Sequence, residues 1–173
     1  MPLAATGWRD ARAATAAPPE LAQALPDAAL HGQARLRFFG LHVYDARLWT
    51  ARPLAPGGWV QRPFALELEY ARSLQGRKIA ERSLDEMRRQ QPIADADAQR
   101  WLATMGELFP DVDAGDRLTG VHLPAEGARF FFNGRPRGEL RDPTFARLFF
   151  GIWLAPETSE PALRAQLLGT AAR

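Results

Sequence analysis

The chain has 173 residues, 46% of them hydrophobic, with 22 basic and 20 acidic side chains for a net charge of +2; this suits one domain able to enclose a small ligand cavity. The near balance of charge, in which Arg135, Arg137 and Arg141 form only a short interrupted cluster, argues against nucleic-acid binding. Zero cysteine excludes disulfides, thiolate nucleophiles and cysteine zinc sites, and no apolar run reaches the ~18–20 residues of a membrane span, so a soluble chain is expected.

Residues 1–18 read as a flexible alanine-rich lead-in, and residues 19–173 as a single domain. Arg9, Asp10 and Arg12 interrupt any apolar core of a signal peptide. A short helix is expected from Pro19 to about Leu25. Leu30 to Phe39 and Leu41 to Thr50 read as strands, with Gly40 as a bulge or bend between them. After a Pro/Gly loop, Phe64, Leu66, Leu68 and Tyr70 alternate with Ala65, Glu67, Glu69 and Ala71, the pattern of a strand with one wet face and Tyr70 turned to the core.

Helical spacing predicts a helix over Arg77 to Gln90, its inner stripe formed by Ile79, Ala80, Ser83, Leu84 and Met87, and stopped by Pro92. A second helix, capped by Asp95 or Asp97, carries Trp101, Leu102, Met105, Leu108 and Phe109. Arg117 to Leu123, Ala128 to Phe132 and Arg135 to Leu140 then form an antiparallel meander, the last pair joined by the hairpin dipeptide Asn133-Gly134. Asp142, with Pro143 behind it, caps a helix whose Phe145, Leu148, Phe149, Ile152 and Trp153 can lie across a sheet. Ser159 opens a final helix that Gly169 ends. Strands joined by hairpins and flanked by helix pairs indicate an α+β fold, an antiparallel sheet backed by a helical layer.

Familiar catalytic motifs are absent: no G-x-S-x-G, no Walker A loop, no G-x-G-x-x-G and no H-E-x-x-H. His31, His42 and His122 lack metal-ligand spacing and read as surface or packed imidazoles, so neither a metal nor a cofactor is expected. Glu67, Glu69, Asp85 and Glu86 fall on wet faces or caps, which disfavours a carboxylate-pair hydrolase. What remains is an aromatic interior, walled by Phe38, Phe130, Phe132, Phe149 and Trp153, and approached by Arg35, Arg37, Tyr44 and Tyr70. A guanidinium keeps its charge at any working pH and presents a planar donor fork, so it can hold a carboxylate or phenolate but cannot serve as a base. Arg35 and Arg37 share strand parity. They either meet an anion in the interior or line a solvent-facing edge, where they would discourage aggregation.

Several segments resemble chalcone isomerase-like proteins of the bacterial type. These are G-x-x-R-L-R-F-F-G-L-x-V-Y-D-A-R-L-W at 32–49, L-E-Y-A-R at 68–72 and G-R-K-I-A-E-R-S-x-x-E-M at 76–87, then G-D-R-L at 115–118, F-x-N-G-x-x-x-G at 131–138 and a closing F-F-G-I-W-L. The resemblance, running from about Leu30 to Gly169, implies an open-faced β-sandwich: a large antiparallel sheet with helices packed over it and a cleft between. It implies one of two activities, closure of a phenolic chalcone to a flavanone or non-catalytic binding of a fatty acid. In the second, Arg35 (or Arg37, if the register slips by two) and Tyr44 would hold the carboxylate, with Tyr70 nearby. If the chain is an enzyme, Arg35 would stabilise the phenolate, but the threonine and strand lysine of a cyclase are not visible, since the lone Lys78 sits on a helix. The reading favours a small amphipathic anion over a phenolic ligand, and over a purely structural module without a pocket. A periplasmic home is suggested by the resemblance alone, and the sequence does not fix an oligomeric state.

Overall fold

The computed structural model describes residues 16–170, so most of the expected lead-in, residues 1–15, lies outside the described part. Pro18, expected within that lead-in, is already buried. The elements are α1 (Leu21–Ala24), β1 (Ala29–Phe38), β2 (Leu41–Thr50), β3 (Phe64–Tyr70), α2 (Gly76–Met87), α3 (Asp95–Leu108), β4 (Arg117–Leu123), β5 (Gly127–Phe132), β6 (Arg135–Leu140), α4 (Pro143–Leu154) and α5 (Pro161–Leu168). The six strands form one antiparallel meander in sequence order, which is the expected α+β architecture. Hairpins alone connect β1 to β2 and β4 through β6, and α2 and α3 bridge β3 to β4.

Helices α2 to α5 cover one face, and the short α1 segment lies on the other. α4 lies over β4 and β5, α5 lies over β1 and β2, and α3 reaches β6. α2 leans mainly on α3 and α4 rather than on the sheet. The helical layer is therefore lifted off the central strands, and the space beneath it is the cavity described below. Around that space the layers join in one continuous core, to which Phe145, Phe149, Phe150 and Trp153 of α4 and Leu66, Leu118 and Phe130 of the sheet all belong. Asp142 caps α4 as expected: its Oδ1 accepts from the Phe145 amide at 3.1 Å, while Oδ2 accepts from Trp101 Nε1 at 2.9 Å.

Several local expectations change. α3 starts at Asp95 behind Ala94, which offers no side-chain cap; Asp95 and Asp97 instead sit in the first turn, where a carboxylate favours the positive end of the helix. Ser159 does not cap α5, because its hydroxyl donates to Glu86 Oε2 at 2.8 Å. Gly40 is no bulge but half of a two-residue turn in which Phe39 (φ 49°) and Gly40 (φ 77°) are both left-handed, the geometry that suits a hairpin's twist.

The second face of β3 is not wet at its centre. Ala65 is fully buried with Trp49 and Val121 under Leu21 and Leu25 of the α1 segment. Glu67 is only 3% exposed: Arg47 approaches it at 2.7 Å and Arg117 at 2.8 Å, and Arg117 also reaches Glu20 at 3.0 Å. A buried carboxylate between two guanidinium groups satisfies the need of any buried charge for partners. Glu86, also expected on a wet face, is buried at the helical layer, where Arg82 meets it at 2.8 Å.

Candidate functional site

Beneath α2 and α4 lies a cavity of about 460 Å³, within the size range of small-molecule sites, roughly 300–1,000 Å³. Its floor is the inward face of the sheet, with Leu36 from β1, Leu66 and Leu68 from β3, Leu118 from β4 and Phe130 from β5. Its roof is Ile79 of α2 with Phe149, Phe150, Ile152 and Trp153 of α4. Gly120 helps to keep the floor open, since a Cβ there would stand 3.1 Å from the Phe150 ring and 3.3 Å from the Phe130 ring. The wall is thus apolar, and the polar groups gather at particular places on it.

Tyr44 and Tyr70 are cross-strand neighbours on β2 and β3 and pack edge to face, with ring centroids 5.8 Å apart. Both line the cavity. The Tyr44 hydroxyl accepts from Trp153 Nε1 at 2.9 Å. Burial pushes its titration well above the ordinary phenol range, against the hydrogen bond from Trp153 and with help from the carboxylates of Glu160 and Glu86. Burial, then the neighbouring Tyr44, does the same to Tyr70, whose hydroxyl has no hydrogen-bond partner among the described residues. Both phenols therefore remain protonated and available as donors.

Arg35 and Arg37 are placed otherwise than the interior reading expects. Strand parity turns Ala34 and Leu36 inward, so both arginines point out from β1, the edge strand. Arg35 pairs with its cross-strand partner Asp45 in a two-pronged contact, Nε to Oδ1 at 2.7 Å and Nη2 to Oδ2 at 3.1 Å. That contact holds the Asp45 carboxyl below its usual range, and His42 Nε2 lies 3.1 Å from the same carboxylate. Neither arginine lines the cavity. The solvent-edge alternative is the one the fold adopts for them.

Of the expected wall, Phe38, Phe130, Phe149 and Trp153 line the cavity; Phe132 packs on the main core beyond it. The cations at the cavity are instead Arg72, Lys78 and Arg82, all exposed and therefore at its mouth. Lys78 is engaged by Glu81 at 3.2 Å and Arg82 by Glu86 at 2.8 Å, whereas Arg72 has no carboxylate partner among the described residues. One signal in the sequence points to part of this set. Arg82 and Glu86 flank the inner stripe of α2 at helical spacing, whereas Arg72 lies two residues past the end of β3.

The charges around the mouth are not uniform. Glu86 and Glu160 act on Tyr44, while Arg72 follows directly on the strand of Tyr70. Arg82 offsets Glu86, so the charges left without an opposite partner among the described residues are the Glu160 carboxylate on the Tyr44 side and the Arg72 guanidinium beyond Tyr70. Among the described residues no cluster of histidine and carboxylate side chains could hold a metal ion, and no helix is long and apolar enough to cross a membrane.

Comparison with known proteins agrees with this architecture. An uncharacterized protein of Haemophilus influenzae is 31% identical over 138 residues, 80% of this chain, which spans 66% of that protein's length. A fatty-acid binding protein of Arabidopsis thaliana superposes with a TM-score of 0.63 over 82% of this chain and 87% of its own, at 13% identity, a likeness of fold. A family profile described as chalcone isomerase-like matches residues 17–169, nearly all of the described chain. The protein is a member of the chalcone isomerase-like family.

Proposed function

We propose that the chain binds, without transforming it, a small amphipathic anion of the fatty-acid class, its tail between sheet and helices and its head at the Arg72 side of the mouth. The observation that carries this reading is the pairing of an apolar cavity of about 460 Å³ with one unengaged guanidinium at its rim and one unpartnered hydroxyl, that of Tyr70, inside it. An apolar tail supplies the affinity: each buried methylene is worth ~0.8 kcal/mol, so ten give roughly 8 kcal/mol before the costs of ordering are subtracted. The head group supplies orientation. A carboxylate near Glu160 would be repelled, and one near Arg72 would be attracted and could accept from a protonated Tyr70.

The relative in Arabidopsis is named for fatty-acid binding, which supports the ligand class by analogy of fold. The test is displacement of a fluorescent fatty acid from the purified protein by unlabelled acids and by their methyl esters. Saturable displacement, with acids preferred over esters, is expected; absence of saturable binding would end the proposal. The same samples, given a phenolic chalcone, separate binding from cyclisation, because turnover would bleach the substrate while binding would only shift its spectrum.

A further inference from the structure

Three large hydrophobic side chains stand out on the surface of the described residues, and all belong to the β1–β2 turn: Phe39 is 91% exposed, Phe38 55% and Leu41 53%. The tip reaches beyond the rest of the sheet. β2 pairs with β3 only from Tyr44 onward, so Arg37 with His42, and Phe38 with Leu41, are bonded to each other alone. Phe39 gains nothing for the fold. It sits at a left-handed φ of 49°, where asparagine or glycine would be easier, and the ring it packs on is that of Phe38, edge to face at 4.5 Å. An aromatic ring held at such a position and given to water has no structural account within the chain.

We infer that this hairpin tip is a docking wedge for an anionic lipid surface, into which Phe38, Phe39 and Leu41 dip beside the mouth of the cavity. Three observations select that occupant. The wedge is a narrow protrusion of three side chains, far short of the roughly 20–30 residues a side that a stable protein interface uses, so neither a second copy nor a flat partner is well matched. Arg37, in the tip's own strand pair, and Arg72, next to the Ala71 amide that bonds Val43, have no carboxylate partner among the described residues and would meet lipid phosphates, whereas two copies of the tip would bring like charges together. Finally, Phe38 belongs both to the wedge and to the cavity wall, and the Ala71 amide, next to Arg72, donates to the Val43 carbonyl at 2.9 Å, so the tip borders the entrance directly. The inference concerns the surface that meets the protein and holds whichever apolar ligand the cavity takes.

Co-sedimentation of the full chain with phosphatidylcholine vesicles, with and without phosphatidylglycerol, tests it. The wild type should bind the phosphatidylglycerol vesicles and lose binding in high salt. Phe39→Asn, which suits the left-handed turn and should leave thermal stability and cavity-probe binding intact, should weaken vesicle binding about tenfold or more. Arg37→Gln should cost about fivefold, and only on the anionic vesicles. Absence of wild-type binding to either vesicle, or equal binding by Phe39→Asn, would overturn the inference. So would a concentration-dependent dimer of the wild type that Phe39→Asn abolishes, since the occupant would then be a second copy. Failure of the cavity to take a fatty-acid probe, with vesicle binding intact, would count against the proposed ligand and not against the wedge.

Discussion

Arg72→Ala and Arg35→Ala make the sharpest contrast available. In the empty protein Arg72 is exposed and engages no carboxylate among the described residues, so its removal strands no partner and should change stability by less than about 0.5 kcal/mol. In the complex its contribution is bounded from two sides. A fully exposed ion pair is worth about 0–1 kcal/mol, and a hydrogen bond to a charged group in a drier setting about 1.5–3 kcal/mol. A rim position half covered by ligand lies between them, at about 1–2 kcal/mol, or roughly 5- to 30-fold in affinity. The loss should appear for a long-chain acid and shrink to less than about threefold for its methyl ester, which carries no charge to attract. Arg35→Ala should leave both affinities unchanged, because Arg35 spends its donors on Asp45 outside the cavity. Competitive displacement of a fluorescent fatty acid, run for both variants and both ligands, reads all four numbers. An equal loss for acid and ester, or a loss confined to Arg35→Ala, would refute the assignment of the head group to the Arg72 side.

Three further outcomes follow from the same geometry. Leu68→Trp, on the cavity floor, should expel long acyl chains while costing less than the roughly 1–3 kcal/mol of ordinary overpacking, because the added ring enters open space; binding isotherms and melting curves check both halves. Asp142→Ala removes the α4 cap and orphans the Trp101 indole, which is 2% exposed, and should cost about 2–4 kcal/mol in denaturant unfolding. His122, buried against Phe64 and donating from Nδ1 to the Arg62 carbonyl at 2.8 Å, is held below the usual imidazole range by burial, partly offset by that hydrogen bond. Its neutral form is therefore favoured in the native state. Stability should be full above about pH 6.5 and fall as the unfolded chain takes up a proton below it, with a slope of at most ~1.4 kcal/mol per pH unit, and His122→Gln should remove that component.

Much of the fold is legible in the sequence because it is local. Asn133-Gly134 with alternating neighbours specifies the β5–β6 hairpin, and Asp142-Pro143 with the stripe from Phe145 to Trp153 specifies α4. Tyr70 is legible as an inward group by parity and Tyr44 through the family resemblance, and both reach the cavity. The same parity rule turns Arg35 and Arg37 outward once Leu36 is placed inside, a consequence that the family resemblance overrode and the structure restores. Glu67 is illegible for a different reason: Arg47 and Arg117, which pair with it, are distant in sequence and meet it only on the folded sheet. Arg72 is not legible because it stands just past the end of β3, where alternation no longer marks which way a side chain points.

A crystal of the protein grown with a long-chain fatty acid brominated at its tail end tests the central claim most directly. Anomalous scattering should place the bromine between Leu68 and Phe149, with the carboxylate lying toward Arg72 and the Tyr70 hydroxyl. A bromine outside the cavity, or a cavity left empty at saturating ligand, would contradict the account.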